Sequence, residues 1–178
     1  MFNYLNIVEF STIIILYDSY SDNKRRQNMV CTIVSDKLEV NFIYKKHTQD
    51  IKKKITEMVW KMYCKGYDTF QVNCEYGIPL WTAEIITALK MYNAIFLDIF
   101  VPYEEQCKDW SEDKRNRYYE CHKNADSVAI VNTHYSKECY KITEEIMISK
   151  SDIVISFGFS ENIQYYSDFY NIPLINLD

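Results

Sequence analysis

Two carboxylates, Glu75 and Glu84, stand on either side of a Gly77-Ile-Pro79 turn. An acid in such a place can do one of two jobs at a ribosyl or glycosyl bond: it stabilises an oxocarbenium-like charge, or it activates water. Glu84 follows Trp81 by three residues, so a helix would put both on one face; the plainer expectation for Glu84 is a helix-surface acid. Metal and thiol chemistry are poorly served. Cys31, Cys64, Cys74, Cys107, Cys121 and Cys139 contain no C-x-x-C pair, so they form neither a zinc pattern nor a compact secreted disulfide framework. Reduced, mostly buried thiols are expected. Cys121, His122, His134 and Cys139 could meet in space, but their spacing demands no metal, and none is expected. His47, His122 and His134 stand alone and read as surface or capping residues, and Trp81 and Trp110 as packing anchors.

Composition narrows the chemistry further. Three glycines in 178 residues leave no G-x-G-x-x-G and no P-loop. Net charge is −5, whereas a general nucleic-acid binder carries a basic surplus. The basic clusters Lys24-Arg25-Arg26, Lys52-Lys53-Lys54 and Lys114-Arg115-Asn116-Arg117 read as solvated surface rather than a nucleic-acid patch. With 48% hydrophobic and 25% charged residues, the chain has the composition of one globular domain. Sixteen tyrosines suggest half-buried packing residues with wet hydroxyls.

The elements that must hold the two acids are legible around them. Thr69 to Asn73 reads as a strand, Gly77 as a turn residue, and Pro79 as the start of a helix with Trp81, Ile85, Ala88, Leu89 and Tyr92 on one stripe. Upstream, Val30 to Ser35 is a strand, and Leu38, Val40 and Phe42 form a second short apolar alternation. Thr48 then caps a helix with the stripe Ile51, Ile55, Met58, Val59 and Met62, closed by Gly66. Downstream come strands at Ala94 to Val101, Ser127 to Asn132, Asp152 to Phe157 and Pro173 to Leu177. The helices between them are capped by Ser111, Ser136 and Ser160. Asp98 within an apolar strand must face an edge, a partner or a polar pocket.

This β-α alternation predicts an α/β fold: a single Rossmann-like three-layer domain, with a mostly parallel sheet of about six strands flanked by helices. The loops after the strands, near Ser35, Asn73, Pro102, Asn132 and Gly158, then share one edge. The domain is expected over residues 29–178. Residues 1–28 are expected to be an N-terminal extension, either an extra strand around Ile13-Ile-Ile-Leu-Tyr17 or an addition from an early start codon. That run is too short to span a bilayer and lacks a basic leader, so no membrane association is expected and a cytoplasmic location is the default.

Several segments together resemble a known family. Gly77-Ile-Pro-Leu-Trp-Thr-Ala-Glu84 is similar to the G-x-x-x-W-x-A-E segment of the YpsA-like proteins, in the SLOG superfamily of Rossmann-like domains. Pro102-Tyr-Glu-Glu-Gln-Cys-Lys-Asp-Trp110 resembles their P-F-x-x-Q-x-x-x-W, with Tyr118 and Ala125-Asp126 at similar spacing beyond it. Met147-Ile-Ser-Lys-Ser-Asp152 resembles their M-V-D-x-S-D. The likeness covers roughly Met29 to Asp178. It implies a Rossmann-like fold, a nucleotide-derived ligand and a bacterial or mobile-element context. Other branches of the superfamily, such as the cytokinin-activating LOG enzymes, cleave a nucleotide's ribosyl bond. The chain departs from the pattern at its glycines: Ser35-Asp36-Lys37 replaces a glycine loop, Cys74 replaces the first glycine of G-x-x-G, and Pro79 replaces an acid. Thr143-Glu144 replaces a basic-Asn pair, and Ser160-Glu161-Asn162 a G-G-T turn. Glycines let backbone amides approach a phosphate, so each loss is expected to narrow that approach.

The resemblance and the shared edge together imply a binding module, non-catalytic, built from Ser35, Asp36, Lys37, Asn73, Glu75, Tyr76, Gly77, Tyr103, Gln106, Asn132 and Thr133. Lys37 would meet an anion, Tyr76 or Tyr103 would stack a base, and helix starts near Gly77 and Ser160 would supply amides. No cofactor is expected. One alternative is a degenerate scaffold acting through protein contacts, with a homo-oligomer face at its tyrosine-rich helices. Another is a nucleotide glycosyl hydrolase using Glu75 or Glu84.

Overall fold

The computed structural model describes residues 29–35 and 37–177, with side chains in the first helix from residue 48 onward. The run at residues 13–17 and the expectations for residues 1–28 lie outside the described residues. The elements alternate without exception: β1 (Met29–Ser35), α1 (Lys37–Cys64), β2 (Tyr67–Val72), α2 (Ile78–Lys90), β3 (Phe96–Val101), α3 (Glu112–Asn124), β4 (Ser127–Ile130), α4 (Cys139–Ser149), β5 (Ile153–Phe157), α5 (Glu161–Tyr170) and β6 (Leu174–Leu177). The six strands form one sheet in the order β4-β3-β2-β1-β5-β6, and every neighbouring pair is parallel. With helices on both faces this is a three-layer, Rossmann-like α/β arrangement. None of the described helices is long and apolar enough to cross a membrane.

The central strands read as near-continuous apolar runs because both of their faces are covered. On one face, Ile55, Val59 and Met62 of α1, Ile78, Leu80 and Ile86 of α2, and Tyr118 of α3 pack on Ile33, Phe70, Leu97 and Ile99. On the other, Met147 and Ile148 of α4 and Ile163 and Tyr166 of α5 pack on Val34, Phe100 and Val154. The predicted stripe of α1 is therefore its buried face. That of α2 is rotated: Ile86 is buried, whereas Ala88 is exposed and Tyr92 lies past the helix end in solvent.

Three local expectations fail. The alternation at Leu38, Val40 and Phe42 is not a strand; these residues belong to a helix that runs unbroken from Lys37 to Cys64. No Gly or Pro stands between Lys37 and Thr48 to stop it, and three alternating residues cannot discriminate the two periods. Thr48 is accordingly a helix-interior residue rather than a cap. The helix expected to be capped by Ser136 starts later, at Cys139, with Glu138 in the cap position.

The central strand β1 is tied to β5 by more than its ladder. Asp152 Oδ2 accepts from Val30 N–H at 2.7 Å, while Asp152 N–H donates back to Val30 O at 2.9 Å. Ser151 Oγ donates to Met147 O at 2.7 Å and accepts from Thr32 Oγ1. The Ser151-Asp152 pair of the resembled motif is thus a fastening between strands. Asp126 acts similarly at the far edge: its carboxylate accepts from Leu97 N–H at 2.6 Å and from Lys90 Nζ. Asp98 stands in register with Ser127 across the β3–β4 pair. Burial is the largest influence on it and raises its carboxyl pKa.

Candidate functional site

All the strands point the same way, so the connections after Ser35, Val72, Val101, Ile130 and Phe157 share one edge of the sheet, as expected. Strand order then singles out one place on that edge. The chain leaves β1 toward β2, β3 and β4, and returns on β1's other flank as β5, with Ser35 in register with Phe157. The crevice outside such a reversal is where open α/β sheets bind ligands. Ser35 stands at it. Asp36 lies outside the described residues, and Lys37 is placed only as the first backbone position of α1. Across the crevice Gly158 adopts φ 86°, Phe159 is exposed, and Ser160 is the N-cap of α5 without a side-chain bond. Glu161 in the first turn opposes an anion at that helix end.

The turn after β2 keeps the backbone of a glycine turn although a glycine is missing. Cys74 holds φ 50°, a left-handed conformation that ordinary side chains resist, and Gly77 holds φ 120° as N-cap of α2. The Cys74 side chain is fully buried within the α1–α3 core, near Tyr118 and Cys121, so it packs beneath the turn. Asn73 Oδ1 accepts from Glu75 N–H at 3.0 Å, an Asx turn. Leu80 N–H goes to Glu75 O at 3.1 Å and Pro79 has none to give, so Gly77 and Ile78 are the only residues of this helix start with N–H groups to offer a ligand. The Tyr76 ring packs edge-on against Trp110, with centroids 5.9 Å apart, and Lys114 Nζ lies 3.7 Å over its face.

The loop after β3 folds through three successive tight turns, with Gln106 N–H on Tyr103 O, Lys108 N–H on Glu105 O and Trp110 N–H on Cys107 O. These turns drive Gln106 inward. Its Nε2 donates to Asn73 O at 3.1 Å, bridging the β2 and β3 loops. Asn132 Nδ2 donates to Pro102 O at 2.9 Å, bridging the β3 and β4 loops. Tyr140, from the start of α4, completes the group. The Tyr103 and Tyr140 rings lie 6.1 Å apart, edge to face. Tyr135 packs on the other side of Tyr103 at 5.3 Å. Burial is the main cause that raises both the Tyr103 and the Tyr140 pKa, and the nearby Glu75 carboxylate adds to it.

Asn73, Glu75, Tyr103, Gln106 and Asn132 are therefore brought together. Ser35 lies two strands from the end of β3, Thr133 is exposed beyond Asn132, and Tyr76 turns toward Trp110. Tyr140 and Tyr135 were missed, because nothing in the local pattern after β4 distinguishes these tyrosines from the other fourteen. Glu84 is engaged elsewhere. Arg117 donates to it through Nε at 2.5 Å and through a terminal nitrogen at 3.0 Å, and Lys52 Nζ lies 3.4 Å away, so the carboxylate joins α1, α2 and α3. Its hydrogen bond is the largest influence raising the Arg117 pKa. No three or more Cys, His, Asp or Glu side chains among the described residues are placed to share a metal ion.

Comparison with known proteins agrees with this arrangement. A YpsA family model, described as "YspA SLOG family", matches residues 34–170. A UPF0398 protein of Bacillus anthracis (strain A0248) is 31% identical over 109 residues, covering 60% of this chain and 59% of the relative. UPF0398 proteins of Bacillus cereus (strain AH820) and Bacillus thuringiensis (strain Al Hakam) are 30% and 29% identical over stretches of the same length. The aligned part thus spans about three fifths of these relatives. With the family match covering most of its length and a Rossmann-like sheet beneath it, the chain belongs to the YpsA family of SLOG proteins.

Proposed function

We propose that this protein is a non-catalytic binding module for a nucleotide or a nucleotide-derived small molecule, held over the C-terminal edge of the sheet. One observation carries the reading: Asn73, Glu75, Tyr103, Gln106 and Asn132, from three separate loops, converge over the ends of β2, β3 and β4 in a chain of this family. Aromatic rings and amide groups suit a base and a ribose. Glu84, with both oxygens held by cations, serves in this reading as a fastening between helices, and Glu75 as a hydrogen-bond acceptor.

The test is a melting-temperature screen against NAD, ADP-ribose, cyclic ADP-ribose forms, cyclic dinucleotides, AMP and GTP. Ligand at 100 times its dissociation constant stabilises the fold by about 2.7 kcal/mol, a shift of several degrees for a domain of this size. A shift with at least one member, diminished in Tyr103→Ala, is expected; a flat panel on folded protein overturns the reading.

A second reading, a scaffold acting through protein contacts, has its own observation. On α5, Tyr165 and Phe169 are 62% and 67% exposed and their rings stack at 6.1 Å. If that face joins two copies, sedimentation gives a dimer that Tyr165→Lys with Phe169→Lys converts to a monomer. A wild-type monomer removes a homo-oligomeric scaffold.

A further inference from the structure

We infer that the apolar run Ile13-Ile14-Ile15-Leu16-Tyr17 docks in a groove between α1 and the β5–β6 end of the sheet, on the face that the described helices leave open there. The inference does not depend on the nucleotide reading. Right-handed crossovers put α1, α2 and α3 on one face, along β1 to β4, and α4 and α5 on the other. On the α1 side, β5 and β6 therefore meet only the flank of α1. A groove of about 210 Å³ runs along that flank. Lys54, Met58 and Lys61 of α1 form its wall, and Ile155 of β5 with Ile175 and Leu177 of β6 form its floor. No residue of another described element lines it. Ile155 is fully buried, whereas Ile175 and Leu177 are only half-buried, although strands of a parallel sheet are ordinarily covered on both faces.

Reach, charge and size point to one occupant. α1 runs back toward the strand starts, which brings Lys61 and Met62 to the edge where Met29 pairs with Tyr67 and the chain enters the sheet. Ile33, in register with Ile155, lies about 13 Å along β1 from Met29, and β6 lies two strands across, at roughly 4.8 Å per strand. Residues 18–28, between the run and Met29, can span up to roughly 36 Å, so the run reaches the groove with slack. Residues 1–22 contain Glu9, Asp18 and Asp22 and no Lys, Arg or His, while the rim of the groove carries Lys54 and Lys61. Glu57, between those lysines, is paired with Lys53 at 3.9 Å. An apolar run ending in Asp18 thus matches an apolar floor with a basic rim, and such complementarity selects a partner more than it tightens it. An apolar cavity of about 150 Å³ holds a benzene-sized ring, so this groove takes one or two side chains of the run.

Methyl NMR of the full chain with labelled isoleucines tests this on unaltered protein. NOEs are expected from at least one of Ile13, Ile14 and Ile15 to Ile155 or Ile175. The combined change Ile13→Ser, Ile14→Ser and Ile15→Ser is expected to lower Tm by about 4 °C or more. In an Ile175→Ser background the same change should lower it by less than half as much, because the docking surface is already spoiled. If the groove isoleucines show no NOE to the run, the inference falls. It also falls if a mixture of labelled and unlabelled chains shows that a second copy fills the groove, or if the Tm losses are equal in the two backgrounds.

Discussion

Cys74 offers a sharp test of the turn after β2. Its φ of 50° costs an L-residue roughly 1–2 kcal/mol, which glycine does not incur. Its side chain is also fully buried. Cys74→Ala keeps the backbone cost and loses the sulfur. Cys74→Gly relieves the backbone cost but gives up a further carbon, about 0.8 kcal/mol, and about 0.5–1 kcal/mol of chain entropy. These terms nearly cancel, so the two variants should agree to within about 0.8 kcal/mol. At an ordinary buried position the glycine variant would trail alanine by about 1.3–1.8 kcal/mol, the sum of the same two losses. Urea denaturation resolves the difference, which corresponds to about 3–7 °C in Tm at 2–4 °C per kcal/mol. A glycine variant more than about 1.2 kcal/mol less stable than the alanine variant would refute the left-handed turn, and with it the view that the glycine-turn backbone survives the loss of the glycine.

Three further outcomes follow from the geometry. Glu84→Gln should destabilise by about 1–3 kcal/mol, and a double-mutant cycle with Arg117→Met should return a coupling of at least about 1 kcal/mol; no coupling would mean the ion pair contributes nothing. Asp98 has a raised carboxyl pKa, so its charged form is disfavoured in the fold and stability falls as pH climbs through that pKa. Asp98→Asn should therefore raise Tm at pH 7 and give no gain at pH 3, where both forms are neutral; equal gains at both would exclude the charge as the cause. His122 is the opposite case: burial lowers its pKa, so stability is lost as pH drops below about 6.5, the ordinary histidine value. His122→Phe should flatten that acid limb in melting curves between pH 7 and 5, and an unchanged limb would clear His122 of the loss.

The fold was legible where burial on two faces writes long apolar runs: β1, β2, β3 and β5 were read from those runs, and the α1 stripe from its period. It was illegible where a stop signal was missing, as between Lys37 and Thr48, and where the true buried face of α2 differed from the stripe by one position. Within the site, the loops could be assigned to one edge because all crossovers join parallel strands. Strand order could not be read from the sequence, so the switch point between Ser35 and Phe157 had to come from the structure. The Gln106 motif was visible, but Tyr140 arrives on a different helix and shares no spacing with it. Cys74 was read as an obstruction over the turn. The thiol goes the other way, into the core, because a left-handed residue redirects its side chain.

The fastening of β1 to β5 also has a consequence in time. β1 is central, yet one of its two ladder partners is the fifth strand, and the Val30–Asp152 bonds close a separation of 122 residues. During synthesis β1, β2 and β3 can assemble early, but β1 then presents a bare edge until Asp152 emerges. Thr32, with Ser151 still unmade, faces water in place of its partner. The crevice beside Ser35 needs β5 as its second wall, so it is complete only when the last two strands have joined the sheet. A chain ending before β5 would leave that edge of β1 as a template for pairing with other strands, so the strands that complete the crevice are also the ones that cover the edge.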